Sequence, residues 1–69
     1  MNSDTVVSVD AVDRRLLALL ATGARRGSLA GAVGLSAYQT GRRVRRLRAL
    51  FSARTDIELV VKAVRSGAL

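Results

Sequence analysis

Arg42, Arg43, Arg45, Arg46 and Arg48 place five guanidinium groups within seven residues, and no carboxylate lies between Ala37 and Phe51. A guanidinium is always charged and planar, and its paired N–H donors match a phosphate or the O6/N7 edge of guanine. Such a run costs a helix roughly a few tenths of a kcal/mol for each like-charged i,i+3 or i,i+4 pair. Stability alone would favour interspersed Glu, so the run points to a polyanionic partner.

The remaining inventory of reactive groups is thin. The sixty-nine residues hold no Cys and no His, and the acids are Asp4, Asp10, Asp13, Asp56 and Glu58. This removes thiolate and imidazole chemistry, disulfides and Cys/His zinc sites. It also leaves little for a carboxylate pair or a carboxylate metal cage. No enzymatic activity, cofactor, metal or small-molecule ligand is expected. Eleven Arg and one Lys give a net charge of +7 and a pI near 11.8, the balance of a domain that meets nucleic acid or an anionic surface. A hydrophobic content of 49% with no Pro describes a folded chain rather than a basic tail. Tyr38 and Phe51 are the only aromatics, too few for a platform that stacks single-stranded bases. No apolar run approaches the ~20 residues of a membrane span, and the first residues lack a signal-peptide pattern. The expected location is cytoplasmic, without membrane association.

Positioning these arginines requires helices, and the apolar spacing supplies four. Residues 1–9 read as a flexible N-terminal arm and residues 10–69 as the domain. Asp10 is an N-cap with Asp13 in the first turn, and Val12, Leu16, Leu17, Leu19 and Leu20 recur at helical spacing to a stop at Thr22-Gly23. A short helix spans Ser28 to Val33, with Leu29, Ala30 and Val33 inward, and ends at Gly34. Ser36 caps a third helix from Ala37 to Phe51. Thr55-Asp56-Ile57-Glu58 matches a capping box, starting a fourth helix that runs from Asp56 to Ser66. The fold class is all-α.

On a wheel of about 100° per residue, Thr40, Val44, Leu47, Leu50 and Phe51 share one side of the third helix. Tyr38, Arg42, Arg45 and Arg46 gather opposite, with Arg43 and Arg48 flanking the apolar stripe. A short helix, a turn containing Gly34 and a helix with an exposed cationic side meet the demands of a helix-turn-helix. Ala30 suits a close helix crossing, and Gly34 permits the positive φ of the turn.

From Asp10 to Leu69 the chain resembles the LuxR/GerE-type DNA-binding domain, a four-helix helix-turn-helix module. The resemblance is carried by Leu16-Leu17-Ala18-Leu19-Leu20-Ala21-Thr22-Gly23, Leu29-Ala30, Val33-Gly34-Leu35-Ser36, Val44, Leu47, Phe51, Ala63 and Gly67-Ala68-Leu69. It implies that the third helix enters the major groove of double-stranded DNA and that the fourth pairs two copies. Ser28, Gln39, Thr40, Gly41, Arg43 and Asp56 depart from that family's pattern, while Arg42 and Arg45 keep basic side chains at its DNA-contact positions. No sensor domain accompanies the module within these residues.

Arg42 and Arg45 are the expected base readers. Arg46, Arg43 and Arg48 are expected on phosphates, as are Arg25 and Arg26 before the second helix. Tyr38 is expected on sugar or phosphate, and Ser36 first as a cap and then as a phosphate donor. On the fourth helix, Ile57, Val60, Val61 and Val64 are expected to face the core, leaving Leu59 and Ala63 outward. That outward surface, bordered by Val60 and Arg65, is the expected homodimer contact. The leading function is a sequence-specific DNA-binding transcriptional regulator. The alternative is an interaction module that pairs with another regulator through residues 56–66, suggested by the departures at Thr40, Gly41 and Asp56.

Overall fold

Residues 9–69, which the computed structural model describes, form four helices and no strand: α1 (Ala11–Ala21), α2 (Arg26–Val33), α3 (Ala37–Leu50) and α4 (Asp56–Arg65). The expected arm at residues 1–9 lies, apart from Val9, outside the described residues. Three of the helices begin where the sequence offers a side-chain acceptor. Asp10 accepts the Asp13 N–H at 2.8 Å and its own N–H donates to the Asp13 carboxylate at 3.3 Å, a reciprocal capping box. Ser36 and Gln39 form a second box at 3.0 and 3.1 Å. At α4, Thr55 Oγ1 accepts the Glu58 N–H at 3.0 Å, but the Glu58 carboxylate accepts from Arg54 N–H at 2.7 Å instead of the cap residue. The expected box is thus half made, and the other half ties down the preceding turn.

α2 starts at Arg26, two residues before the expected Ser28, and Arg25 makes no side-chain cap. Gly34 then ends it at φ +73°, in the left-handed region where a side chain would be strained. The Leu35 N–H closes back on the Ala30 carbonyl at 3.1 Å. Gly34, Leu35 and Ser36 therefore make the tight turn that sends α3 away from α2.

The core is a single apolar cluster drawn from all four helices. Leu16 and Leu17 of α1, Leu29 of α2, Val44 and Leu47 of α3, and Leu59 and Ala63 of α4 are fully buried, with Ala53 closing the end. Each fully buried Leu contributes roughly 1.5–3 kcal/mol, so no one helix holds its place without the others. Thr40 also points into this core. Its Oγ1 has no hydrogen-bond partner among the described residues.

α4 presents the opposite face from the one expected. Leu59 and Ala63 are buried, while Ile57, Val61 and Val64 are exposed, Ile57 at 79%. Val60 is half-buried and Arg65 exposed. Two polar contacts accompany this rotation. Asp56 pairs with Arg26 of α2 at 3.2 Å, and Lys62 Nζ donates to the Ser52 carbonyl at 2.8 Å. Leu59 and Ala63 lie between Asp56 and Lys62 on the helical wheel, so both contacts sit at the edges of the buried arc and are compatible with it. Apolar spacing alone favoured Ile57, Val60, Val61 and Val64 because they too recur at i, i+3, i+4 and i+7. Leu59 and Ala63 therefore cannot form a dimer contact without opening the core.

Candidate nucleic-acid interface

α3 is held by its apolar side. Val44 and Leu47 pack into the core with Thr40, and Phe51 caps the helix end half-buried. Its opposite side carries Tyr38, Arg42, Arg45 and Ala49, all exposed, with Tyr38 at 72%. These positions repeat at i, i+4, i+7 and i+11, which keeps them on one face over about 16 Å of helix. The Arg42 guanidinium lies 5.8 Å from the Tyr38 ring centroid, near enough for the ring face to steady it. Arg45 makes no ion pair among the described residues.

The other arginines of the run are drawn into the fold. Asp13 of α1 is fully buried and its carboxylate is shared between Arg43, at 3.1 Å, and Arg46. Arg43 Nη1 also reaches the Asp10 carboxylate at 3.0 Å. The Asp13 N–H, first of all, and the Arg43 guanidinium hold the Asp10 carboxyl below its ordinary pKa; Asp10 and Asp13 in turn raise that of Arg43. Charge repulsion along α3 is therefore offset not within the helix but from α1, thirty residues away. A buried carboxylate demands such partners.

Arg48 turns to the chain rather than to solvent. Its Nη2 donates to the Arg54 carbonyl, while its buried Nε has no partner among the described residues. Arg26 is engaged with Asp56 across the gap to α4. Ser36 acts as the cap of α3, and its partner Gln39 is committed to the same box. Arg25, at the N-cap of α2, stays exposed.

The structure thus brings Tyr38, Arg42 and Arg45 onto one accessible face, places Arg43 and Arg46 beside it with Asp10 and Asp13, and turns Arg26 and Arg48 to neighbouring elements. Asp10 and Asp13 are the site residues that composition did not single out. One signal for Asp13 was present: it precedes Leu16 and Leu17 by three and four residues, on the core stripe of α1. A carboxylate there needs a cation from a facing helix, and α3 is the helix rich in them. Gly41, also on α3, has open space where a Cβ would stand.

The AsnC-type helix-turn-helix family model matches residues 9–48, which are more than half of the chain and contain α1, α2 and α3 through Arg48. Neither a curated protein nor a solved structure matches. The match replaces the LuxR/GerE assignment. The residues behind that assignment, a Leu-rich first helix, a glycine turn and inward Val44 and Leu47, are what any helix-turn-helix needs to pack. The AsnC-type match also ends before α4, the helix to which the LuxR/GerE resemblance gave a pairing role. With the turn at Gly34, the buried side of α3 and its open cationic face in place, the chain belongs to the AsnC-type helix-turn-helix family and is a DNA-binding helix-turn-helix domain.

Proposed function

We propose that this domain is a sequence-specific regulator of transcription that lays α3 in the major groove of double-stranded DNA and acts as a homodimer. The observation that carries the reading is the face of Tyr38, Arg42 and Arg45: exposed, with neither arginine in an ion pair among the described residues, and projected by the left-handed Gly34 turn. Arg42 and Arg45 read base edges, most favourably guanine O6 and N7. Arg25, together with whichever parts of Arg43 and Arg46 face solvent, grips phosphates and fixes the register. Affinity for a duplex measured from about 50 to 200 mM salt tests this. A steep negative slope of log K against log salt is expected, and a flat line would remove the DNA assignment.

Pairing uses the exposed stripe of α4. Ile57 and Val61 border an apolar groove completed by Leu20, Ala21 and Ala24 at the end of α1, and Val64 extends the stripe. Beside that stripe α4 carries Glu58 in its first turn and Arg65 in its last, while Asp56 and Lys62 are held by Arg26 and the Ser52 carbonyl. A second copy packed antiparallel across a two-fold axis sets acids against bases at both ends. The groove contains no α3 residue, so pairing leaves the reading face open. Two such faces would read half-sites about one turn of DNA apart. Sedimentation equilibrium of the wild-type chain and Ile57→Glu checks this: a dimer that the substitution dissociates is expected. A monomer at all concentrations, or a dimer indifferent to Ile57→Glu, would remove it.

A further inference from the structure

The concavity beside the reading face is lined by Arg42, Arg43, Arg45 and Arg46, and also by a single carboxylate, Asp10. As an N-cap Asp10 needs only a side-chain oxygen, which Ser, Thr or Asn supplies equally well. Its negative charge adds only about 0.3–1 kcal/mol there through the helix dipole, and it also faces a cation of another helix. Asp10 is not buried: the side chain is 53% exposed, and both its oxygens stand within hydrogen-bond distance of Arg43 Nη1, at 3.1 and 3.0 Å. The Arg43 side chain is itself one-third exposed. Asp13 is a different case, since it is fully enclosed and holds Arg43 and Arg46 from the protein interior.

An exposed carboxylate clasping an arginine at the edge of a polyanion-binding face has the geometry of a phosphate contact already filled. We propose that Asp10 occupies, in the free protein, the position on Arg43 that a DNA backbone phosphate takes in the complex. Binding then exchanges one anion for another. Asp13 keeps Arg43 aimed at that place throughout, because its own contact comes from the buried side. The proposal rests on the DNA-binding reading and adds to it a built-in competitor that lowers affinity for every duplex alike. Phosphate contacts carry no sequence information, so relieving the competition strengthens nonspecific binding as much as specific binding and leaves the preferred sequence unchanged. The charge on Asp10 thus weakens attachment to DNA at large without cost to readout.

The test is Asp10→Asn, which keeps the cap and removes the charge, measured by fluorescence anisotropy on a preferred and an unrelated duplex. Three-fold to ten-fold tighter binding to both is expected at about 100 mM salt, with a salt slope steeper by up to about one, because no displaced Asp10 carboxylate then takes up a cation on binding. Arg43→Gln supplies the second arm, since Arg46 still holds Asp13 in that variant. Adding Asp10→Asn to Arg43→Gln is expected to give no further gain, with folding of each variant verified by its melting curve. A gain of the same size in the Arg43→Gln background would reduce the effect to bulk charge and overturn the exchange. Unchanged or weaker binding by folded Asp10→Asn would overturn it also, while leaving wild-type duplex binding intact. A wild-type chain that binds no duplex would instead remove the DNA assignment and the proposal with it.

Discussion

Arg42 and Arg45 each precede Arg43 and Arg46 by one residue on the same helix, a rotation of about 100°. That rotation separates two electrostatic states. Arg42 and Arg45 stand on the open face, one steadied by the Tyr38 ring and the other without an ion pair among the described residues. Arg43 and Arg46 converge on the buried Asp13 and help fasten α3 to α1. A run that reads as one cationic ridge thus divides into a set that is available to a ligand and a set that builds the platform. The lesson is that charge density along a helix locates a binding element, while partners on other helices decide which charges remain to bind.

The division is broken most forcefully at its hinge. Asp13→Ala removes the buried anion between two arginines that keep some solvent access, so a loss of about 2–3 kcal/mol is expected, less than for a fully enclosed pair. In a domain of this size that lowers the midpoint by roughly 10–20 °C, read by thermal circular dichroism. An unchanged midpoint would mean that Arg43 and Arg46 do no fastening.

Arg42→Ala and Arg45→Ala are expected to leave stability within about ±0.5 kcal/mol of wild type, as exposed residues do. Each should still weaken a preferred duplex about tenfold, or about 1.4 kcal/mol. The same substitutions lowering stability substantially would place these two in the platform instead. Next in size is Thr40→Val. It fills the same space without the unpartnered hydroxyl, and a gain of about 1 kcal/mol is expected in the same melts.

The smallest effect lies in acid. Asp10 is held below its ordinary value near 3.8 by the Asp13 N–H and Arg43, and Glu58 below 4.5 by the Arg54 N–H and then Lys62. A depressed carboxylate contributes its full stability above the unfolded value and loses it as pH falls through the folded one. These two groups therefore leave the melting midpoint level from pH 5 to 7 and lower it below about pH 4. Asp10→Asn removes one share, so its acid branch should fall less steeply. Superimposable branches would show that the carboxylate clasp adds nothing to folding.

Local signals carried the helices. The caps at Asp10, Ser36 and Thr55 and the stop at Gly34 lie within a few residues of the groups they satisfy, so they are legible along the chain. The exposed placement of Tyr38, Arg42 and Arg45 was legible too, because an apolar stripe fixes what lies opposite it. The pairings of Asp13 with Arg43 and Arg46, and of Asp56 with Arg26, join residues about thirty apart and depend on how helices cross. α4 was ambiguous for another reason. Apolar residues cover two adjacent arcs of that helix, and which one enters the core depends on how α4 crosses the other helices, with Asp56 and Lys62 tied down at the edges of the buried arc. The family resemblance failed for a related cause, since it rested on packing positions that helix-turn-helix domains share.

Selection of preferred duplexes from a random pool, made with the wild-type chain and repeated with Arg42→Ala and Arg45→Ala, tests the division of α3 most directly. Wild type is expected to enrich one sequence, and each substitution to relax preference at its own base position while leaving the others. No enrichment by wild type, or variants that weaken every sequence equally, would contradict that division.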